Sequence, residues 1–209
     1  MATLGCFVVI EGPEGAGKST LAHSLEASLR GLEVEVCRYR EPGGTLLAEL
    51  ARKAVLDPTY DPGPEAELFL RLTARADLVQ KVLRPQLAKG AVVICDRYEL
   101  STFAYQVAGR GLDEARVRGA NFLATGGLVP DVTLVLDVDP EVSLERQESR
   151  GRTRDRMEQA HAEFHARVNA AYRAAQGPGI VHIDGSAPQA AVADEAWRVL
   201  KSFRPDLFA

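Results

Sequence analysis

The sequence predicts an α/β protein in which five parallel strands form an open sheet with helices on both faces. Five short apolar runs alternate with helical patterns along the 209 residues, 46% of which are hydrophobic. Several runs are continuous and β-branched, such as Val8–Ile10, which is typical of strands buried on both faces of a parallel sheet. Alternating strands and helices are typical of the same architecture. The length suits one domain, and we expect residues 1–209 to form it.

The predicted elements follow one another along the chain. Strands are expected at Cys6–Ile10, Val34–Arg40, Ala91–Asp96, Val132–Asp137 and Ile180–Asp184. Helices are expected at Lys18–Arg30, Thr45–Leu56, Pro64–Leu87, Leu112–Ala124, Pro140–Ser149, Arg156–Ala175 and Pro188–Phe203. Gly31 is a natural C-cap for the first helix. Three prolines mark Asp57–Pro64 as a loop, and Gly151 separates an arginine-rich loop from the helix before it.

Composition and charge argue against several classes of protein. The net charge is −4, from 25 basic and 29 acidic residues, whereas a nucleic-acid binder normally carries a basic excess or a basic tract. No apolar run approaches the ~20 residues that span a membrane, and the first residues do not resemble a signal peptide. Cys6, Cys37 and Cys95 are widely spaced and flanked by apolar residues, which indicates buried thiols in a reducing compartment. We therefore expect a cytoplasmic protein that binds neither nucleic acid nor membrane.

A phosphate-binding loop follows the first strand. The loop matches the pattern GxxxxGK followed by Ser or Thr and lies between a predicted strand and a predicted helix, as the motif requires. Its residues are Gly12, Pro13, Glu14, Gly15, Ala16, Gly17, Lys18 and Ser19. Its glycines let backbone N–H groups surround an anion, and the helix N-terminus adds positive potential. We expect this loop and Thr20 to bind ATP, with Lys18 on the β- and γ-phosphates and the Ser19 hydroxyl on Mg²⁺. The motif predicts a P-loop NTPase fold, and the lack of an NKxD motif argues against a GTP switch.

A second polar cluster closes the third predicted strand. Asp96, Arg97 and Tyr98 end this apolar run, and the carboxyl ends of strands in an open α/β sheet share one rim with the phosphate-binding loop. Asp96 is a candidate for holding Mg²⁺, and Arg97 can grip a phosphate through two hydrogen bonds. The alternative is an ion pair that only fixes the end of the strand.

In its motifs the chain resembles thymidylate kinases over nearly its whole length. The shared motifs are Glu11–Ser19, Arg40–Thr45, Asp96–Tyr98 with Ser101–Gln106, Gly109–Gly111 and Asp155–Glu158. The resemblance implies ATP and dTMP as substrates, Mg²⁺ as cofactor and a homodimer. The dTMP site that it implies includes Glu41, Arg75, Arg97, Ser101, Thr102, Tyr105 and Gln106. Within that site Arg97 would bind the phosphate, Tyr105 would pack beside the sugar, and Arg75 would contact the base.

The implied reaction needs positive charge rather than a proton acceptor. The second pKa of a phosphate monoester is about 6, so the dTMP phosphate is mostly ionised at neutral pH and no histidine requires a role. The phosphate-binding loop contributes Lys18 but no arginine, which resembles a bacterial subclass that supplies the arginine from a lid. We expect that lid at about residues 149–157 and hypothesise that Arg150 or Arg154 reaches the transferring group; the alternative is a solvated basic loop. Arg146, one turn earlier, is a candidate for stacking on adenine.

One position departs from the family pattern. Thymidylate kinases usually carry a phenylalanine four residues before the helix arginine, here Arg75, to stack on thymine, and Arg71 occupies that position. Phe69 lies roughly 200° around the helix and should point away. Because a guanidinium plane can stack on a base, Arg71 is a candidate replacement for the ring. The alternatives are a shifted register and an exposed Glu67–Arg71 pair.

The sequence therefore favours transfer of the γ-phosphoryl group of MgATP to dTMP, giving dTDP and ADP. The expected catalytic residues are Lys18, Arg97, Arg150 and Arg154. Two alternatives remain open at this point: a related P-loop kinase for another nucleotide or a deoxynucleoside, and a non-catalytic nucleotide-binding regulator.

Overall fold

A computed structural model describes residues 5–149 and 155–208, which form a five-stranded sheet surrounded by helices. The strands are β1 (Cys6–Glu11), β2 (Val36–Arg40), β3 (Val92–Asp96), β4 (Val132–Asp137) and β5 (Ile180–Asp184). They lie in the order β2-β3-β1-β4-β5, and each neighbouring pair is parallel. The predicted fold class, an α/β P-loop NTPase fold, is confirmed.

Helices connect successive strands and cover both faces of the sheet. They are α1 (Lys18–Gly31), α2 (Leu46–Leu56), α3 (Pro64–Leu78), α4 (Arg84–Ala88), α5 (Glu99–Thr102), α6 (Glu114–Thr125), α7 (Pro140–Glu148), α8 (Ala162–Arg173) and α9 (Gln189–Phe203). Two π-helical turns, Val79–Leu83 and Phe103–Gly109, join α3 to α4 and extend α5. The predicted strand limits agree with the structure to within two residues.

The side chains of β1 alternate between two apolar cores. Val8 and Ile10 belong to the core beneath α1 and α9. Phe7 and Val9 belong to the core on the opposite face, together with the end of α3 and the π-helical turn after it. Full burial of such a side chain stabilises a fold by about 1.5–3 kcal/mol, so the central strand is anchored from both sides.

The long helix predicted over Pro64–Leu87 is built in three parts. The π-helical turn Val79–Leu83 separates α3 from α4. Pro64 begins α3, where its missing N–H is not needed. Pro85 lies in the first turn of α4 and cannot donate to a continuing α-helical ladder, and the wider turn before it accommodates that loss.

Two further differences concern helix limits. The helix predicted from Arg156 begins only at Ala162, because the Asp155 carboxylate accepts hydrogen bonds from the Met157 and Glu158 N–H groups at 2.9 and 3.0 Å and holds a turn there. The sequence also fails to predict the helical segment of residues 99–109. Its buried positions include the polar residues Ser101, Thr102 and Gln106, which obscures the apolar periodicity.

The cysteines match the sequence-based expectation of buried thiols. Cys6 and Cys95 are buried, Cys37 is half-buried, and all three are free thiols among the described residues. Burial raises the pKa of Cys6 to about 12, which keeps it protonated and unreactive.

Between residues 5 and 149 and between 155 and 208, no helix has both the length and the apolar character needed to cross a bilayer.

The sheet brings the two polar clusters of the sequence to one edge. Ile10 of β1 pairs with Asp96 of β3, and the Arg97 N–H donates to the Ile10 carbonyl at 3.0 Å. The Glu41 N–H, just after β2, donates to the Asp96 carbonyl at 2.9 Å. The phosphate-binding loop, Arg97 and Glu41 therefore meet at the carboxyl ends of three adjacent strands.

Candidate active site

The loop between β1 and α1 holds the Lys18 side chain against its own backbone. Lys18 Nζ donates to the Gly12 carbonyl at 3.0 Å and to the Pro13 carbonyl at 2.6 Å. The side chain is buried, and this burial, followed by the charge of Arg97, lowers the pKa of Lys18 to about 8. Gly15 has φ 76°, and a Cβ there would come within 2.5 Å of a carbonyl oxygen in α7. The loop thus holds the Lys18 ammonium by two backbone carbonyls, and a bound phosphate can replace them as its hydrogen-bond acceptor.

Two oxygen ligands for a cation lie at the end of this loop. The Ser19 hydroxyl donates to Asp96 Oδ2 at 2.7 Å, which joins the start of α1 to the end of β3. A hydroxyl and a carboxylate, completed by phosphate oxygens and water, form the hard oxygen set that Mg²⁺ prefers. Within the described parts of the chain, no cluster of three or more His, Cys, Asp or Glu side chains could hold a metal. A metal at Ser19 and Asp96 would therefore depend on a phosphate for further ligands.

Arg97 occupies the middle of the rim in a constrained conformation. Its φ is 75°, a region that non-glycine residues adopt at a cost and often at functional sites. Nη1 donates to the Gly12 carbonyl at 3.1 Å, and Nη2 donates to Glu14 Oε1 at 2.5 Å. The guanidinium carbon lies 5.3 Å from the ring centroid of Tyr105. Arg97 and Lys18 therefore share one carbonyl oxygen, which places the two cations side by side.

Glu11 holds the Arg97 segment in place, a role that sequence reasoning missed. Its buried carboxylate accepts hydrogen bonds from the Tyr98 and Ser101 N–H groups at 2.8 and 3.0 Å. It also accepts from the Ser101 hydroxyl at 2.7 Å and from the Tyr172 hydroxyl at 3.2 Å. The available signal was a carboxylate that ends a continuously apolar strand, because such a buried charge needs several partners.

Arg75 lies behind the cleft wall and is held there by the protein. Nε donates to Glu41 Oε2 at 2.7 Å, and Nη2 lies 2.6 Å from the same oxygen in an ion pair. The other bonds go to the Thr102 hydroxyl at 2.7 Å, Asn121 Oδ1 at 2.5 Å and the Tyr98 carbonyl at 2.7 Å. Of the five N–H donors of a guanidinium, four therefore form hydrogen bonds with the protein. Burial raises the pKa of Glu41 although Arg75 opposes this.

Arg71, one turn before Arg75, is in a different situation. Its guanidinium carbon lies 5.4 Å from the ring centroid of Tyr105, and its buried Nε has no hydrogen-bond partner among the described residues. Phe69 is 60% exposed, as expected from its position on the helix. The alternative of an exposed Glu67–Arg71 pair is wrong, because Glu67 is fully buried and bonds other side chains.

The end of the predicted lid is tied to Glu67. Arg156 and Arg110 donate to Glu67 Oε2 at 2.5 and 2.9 Å, and Gln106 Nε2 donates to Oε1 at 2.7 Å. Arg156 Nε also donates to the Val55 carbonyl at the end of α2, at 2.9 Å. Arg156 is therefore engaged in a structural contact that connects this segment to α2 and α3.

A cleft of about 150 Å³ opens between these groups. Its charged lining consists of Lys18, Arg40, Arg52, Arg71, Arg97, Glu14, Glu41, Asp96 and Asp155. Sequence reasoning missed Arg40 and Arg52, which each donate to the Pro42 carbonyl at 3.0 Å. Arg40 stands in a motif shared with the family, whereas nothing distinguishes Arg52 from other helix arginines. Of the predicted substrate residues, the described lining includes Glu41, Arg71, Arg97 and Tyr105 but not Arg75, Ser101, Thr102 or Gln106.

A second cavity, of about 310 Å³, opens on the other side of the phosphate-binding loop. Apolar side chains of α1 and α9 and of the loop before α9 line it, together with Thr20 and Arg146. Arg146 Nη1 donates to the Gly185 carbonyl at 2.8 Å. Gly15 and Gly17 line both cavities, so the two meet at the loop.

The predicted lid residues Arg150 and Arg154 lie outside the described residues.

Comparisons with known proteins point to one family. A family model described as Thymidylate kinase matches residues 10–196. The thymidylate kinase of Deinococcus radiodurans is 43% identical over 196 residues, which cover 92% of this chain and 95% of the relative. That of Ectopseudomonas mendocina is 48% identical over 177 residues, with coverage of 83% and 84%. That of a Synechococcus strain is 45% identical over 200 residues, with coverage of 93% and 95%.

Proposed function

The chain belongs to the thymidylate kinase family, and on that premise we propose that the two cavities beside the phosphate-binding loop hold the two substrates of one phosphoryl transfer. It is a kinase that moves the γ-phosphoryl group of ATP to dTMP, giving dTDP and ADP. One observation supports the division between the cavities: Lys18 and Arg97 both donate to the Gly12 carbonyl, at 3.0 and 3.1 Å. Cations that converge on one atom can hold a donor and an acceptor phosphate end to end.

The donor nucleotide occupies the phosphate-binding loop and the cavity beside α1 and α9. Backbone N–H groups of Gly12–Thr20 surround its phosphates, and Lys18 exchanges its two carbonyl partners for β- and γ-phosphate oxygens. The adenine lies among the apolar side chains of α1 and α9. Arg146, held by its bond to the Gly185 carbonyl, borders that cavity and presents a plane on which the adenine stacks.

We assign Mg²⁺ to Ser19 and Asp96. Their 2.7 Å contact supports this, because it places a hydroxyl and a carboxylate together beside the loop that receives the phosphates. Bound there with ATP, Mg²⁺ would neutralise charge on the phosphates, and Ser19 and Asp96 would be the protein groups that hold it.

The acceptor lies in the smaller cleft with its phosphate on Arg97. Glu14 accepts a hydrogen bond from this guanidinium and yields it to the phosphate. Arg40 and Arg52 add charge on the same side, and the buried ring of Tyr105 packs beside the sugar. No general base is assigned, because a phosphate monoester with a second pKa of about 6 is already an anionic nucleophile at neutral pH.

Arg150 or Arg154 supplies the positive charge that meets the transferring phosphoryl group. Two features support this: the phosphate-binding loop lacks an arginine, and the nearby Arg156 ties the following segment to Glu67 beside the acceptor cleft. An arginine finger is worth ~10³–10⁵ in rate. In single-turnover experiments, Arg150→Ala with Arg154→Ala should lower the rate by at least about tenfold, whereas Arg152→Ala should leave it within about threefold. A double variant with the wild-type single-turnover rate would exclude this role.

A panel of acceptors tests the proposed function. ADP release is measured with ATP, Mg²⁺ and, in turn, dTMP, dUMP, UMP, dGMP and thymidine. We expect the highest kcat/KM with dTMP and no turnover with thymidine, which lacks the phosphate that Arg97 binds. A preference for another acceptor would indicate a related P-loop kinase, and ATP binding without turnover on any acceptor would indicate a non-catalytic regulator.

The assembly that the proposal includes is a homodimer through α2, α3 and α6. Large apolar side chains are exposed on these helices, and α3 packs against both of the others. They are Leu46 (90%), Leu50 (62%), Phe69 (60%), Phe122 (67%) and Leu123 (83%). A second copy of the chain would cover them. Light scattering should give a dimeric mass for the wild type and a monomeric mass for Phe69→Asp with Leu123→Asp. The control Leu144→Asp, at a side chain 48% exposed on α7, should remain dimeric.

We place the enzyme in the cytoplasm, which free thiols and nucleotide substrates favour.

A further inference from the structure

Two hydroxyl groups hold one nitrogen of the Arg97 guanidinium, a contact to which the proposed function gives no role. Nη1 donates to the Tyr172 hydroxyl at 2.9 Å and to the Ser101 hydroxyl at 3.2 Å, in addition to its bond with the Gly12 carbonyl. Nη2 donates to Glu14. Tyr172 is 1% exposed and lies on α8, a helix that supplies none of the described residues lining the acceptor cleft. The Tyr172 hydroxyl therefore reaches Arg97 from within the protein and not from the cleft.

The Glu11 carboxylate fixes the orientation of both hydroxyl groups. A hydroxyl has one proton to donate and two lone pairs that accept. The Ser101 hydroxyl donates its proton to Glu11 Oε2 at 2.7 Å. The Tyr172 hydroxyl can donate to the same oxygen at 3.2 Å or to Ser101 Oγ at 2.8 Å. In either arrangement both hydroxyls present only lone pairs to Arg97, and a guanidinium can only donate.

Tyr172 is a neutral side chain whose ring is held in place. Burial, followed by the charge of Glu11, raises the pKa of Tyr172, so the hydroxyl keeps its proton at neutral pH. The ring meets the Tyr105 ring edge-on, with 6.4 Å between the centroids. The Arg97 guanidinium carbon lies 5.3 Å from the same Tyr105 centroid. The Tyr105 ring and the Tyr172 hydroxyl thus contact the guanidinium together and define where it lies.

Arg97 needs this support because the proposed reaction changes one of its partners. A phosphate on Arg97 takes the place of Glu14 on Nη2, while Nη1 keeps its bonds to the two hydroxyls. The backbone of Arg97 has φ 75°, a conformation that surrounding contacts have to maintain. Groups that hold a side chain in its binding position before the ligand arrives reduce the cost of binding.

We infer that Tyr172 is a positioning residue for the acceptor phosphate. Its hydroxyl, supported by Ser101 and Glu11, keeps Arg97 oriented toward the cleft when the phosphate replaces Glu14. This inference rests on the proposed function and extends the acceptor site to a residue that does not line the cleft.

The Tyr172→Phe variant tests the inference, because it removes the hydroxyl and keeps the ring against Tyr105. Calorimetry gives the Kd of dTMP and of thymidine, which differ only in the phosphate, so the ratio of the thymidine Kd to the dTMP Kd reports the phosphate contact. We expect Tyr172→Phe to lower this ratio by about fivefold, as the loss of one hydrogen bond implies, with the thymidine Kd within about twofold of wild type. A merely structural role would raise both Kd values equally, and an unchanged ratio would overturn the inference.

A double-mutant cycle shows whether Tyr172 acts through Arg97. Arg97→Ala should lower the ratio by at least about tenfold, because it removes a charged donor. In that background Tyr172→Phe should have no further effect on the ratio, whereas independent effects of the two substitutions would overturn the inference. If Arg97→Ala itself kept the wild-type ratio, or if the wild type did not phosphorylate dTMP, the proposed function would fail instead. The two failures are therefore distinguishable.

The second hydroxyl gives an independent variant. Ser101→Ala removes the other acceptor of Nη1 and should lower the same ratio by at least about twofold. Tyr39→Phe, which removes the hydroxyl of a half-buried tyrosine on β2, is the matched control and should keep it. If Tyr172→Phe does not fold, an unchanged ratio in Ser101→Ala would still overturn the inference.

Discussion

The donor and acceptor sides of the cleft hold their cations in opposite ways. On the donor side, Lys18 bonds two carbonyls of its own loop, five and six residues away. On the acceptor side, Arg75 bonds four residues that lie 23 to 46 positions away in the sequence. A cation held by local carbonyls can be released to a phosphate without disturbing the fold. A cation held by distant side chains joins the segments that carry those side chains, so its loss should affect folding before it affects binding.

The largest effect that separates the two sides is expected for Arg75→Leu. The substitution leaves the buried Glu41 carboxylate without its cation, and removal of one partner from a buried ion pair costs about 3–5 kcal/mol in the free energy of unfolding. Arg71→Leu on the same helix should cost less than about 1 kcal/mol, because it removes a donor that has no partner. Urea unfolding of both variants measures the difference. Similar losses in the free energy of unfolding for the two variants would contradict the view that Arg75 stabilises the fold whereas Arg71 is available to a ligand.

On the donor side we expect catalysis to change while stability does not. Lys18→Ala should lower kcat by about 10²–10³, because it removes a positioned donor from the phosphates. Its free energy of unfolding should not fall by more than about 1 kcal/mol below that of wild type, since the lost bonds go only to carbonyls of a loop. Steady-state kinetics and urea unfolding provide both values, with the exposed Lys89→Ala as control. If Lys18→Ala strongly lowered the free energy of unfolding, Lys18 would also be needed to stabilise the fold.

The same division explains how much of the site could be predicted from the sequence. The phosphate-binding loop is one contiguous motif whose spacing already specifies where Lys18 and Ser19 lie. Arg40 and Arg52 reach the cleft because both meet the Pro42 carbonyl, a convergence that depends on how α2 follows β2. The network around Arg75 draws on residues from four segments, so no local pattern indicates that its donors form these bonds. Sequence reasoning could propose that Arg71 or Arg75 meets the base but could not show that Arg75 is already bonded to the protein.

The fold shows a similar contrast between local and distributed information. The limits of β4 and β5 follow from apolar runs, and the predicted ranges are those observed. The segment of residues 99–109 was missed because its buried Ser101 and Gln106 bond Glu11 and Glu67, and both glutamates lie on other elements. Polar residues become core residues only when their partners arrive from elsewhere, and periodicity alone cannot register this.

The pH dependence of donor binding sharpens the description of Lys18. Because the pKa of Lys18 in the free protein is lowered to about 8, the side chain becomes neutral as pH rises through that value. ADP with Mg²⁺ requires the charged form, so its Kd should rise by roughly 25-fold between pH 7.5 and 9.5, and binding near pH 8.5 should take up a proton. Calorimetry in buffers of different ionisation enthalpy measures this uptake. Lys18→Arg should bind without it; equal proton uptake in both proteins would assign the titration to another group.

The lowered pKa of Lys18 also makes the stability of the fold depend on pH. The unfolded chain keeps the Lys18 proton up to the ordinary pKa of 10.5, so the unfolded state binds more protons than the folded state between about pH 8 and that value. The contribution of Lys18 to stability is therefore unfavourable below pH 8 and improves as pH rises through this window. Comparison of wild type with Lys18→Met by urea unfolding at pH 7.5 and 9.5 should show the variant's advantage shrinking. An advantage that grows with pH would contradict a lowered pKa.

The smallest effect is expected at His182, where the two ways of holding a cation are combined. His182 Nδ1 lies 2.8 Å from Asp137 Oδ2, and Nε2 lies 2.8 Å from the Ala175 carbonyl, so the ring has one acceptor side chain and one backbone acceptor. Burial opposes the charge, but the Ala175 carbonyl and the Asp137 carboxylate outweigh it and raise the pKa of His182. Because a raised pKa stabilises the folded state most fully at low pH, this contribution is present below the unfolded value near 6.5 and is lost as pH rises through the folded value.

Since both partners of this pair are about a third exposed, the contribution should be at most about 1 kcal/mol. His182→Gln should therefore lower the urea midpoint at pH 5.5 and approach the wild type at pH 8.5, whereas His161→Gln, at an exposed histidine before α8, should show no such trend. A loss that is constant across this range would mean that His182 is neutral and acts through packing alone. Such a result would leave Lys18 and Arg75 as the two limiting cases without an intermediate between them.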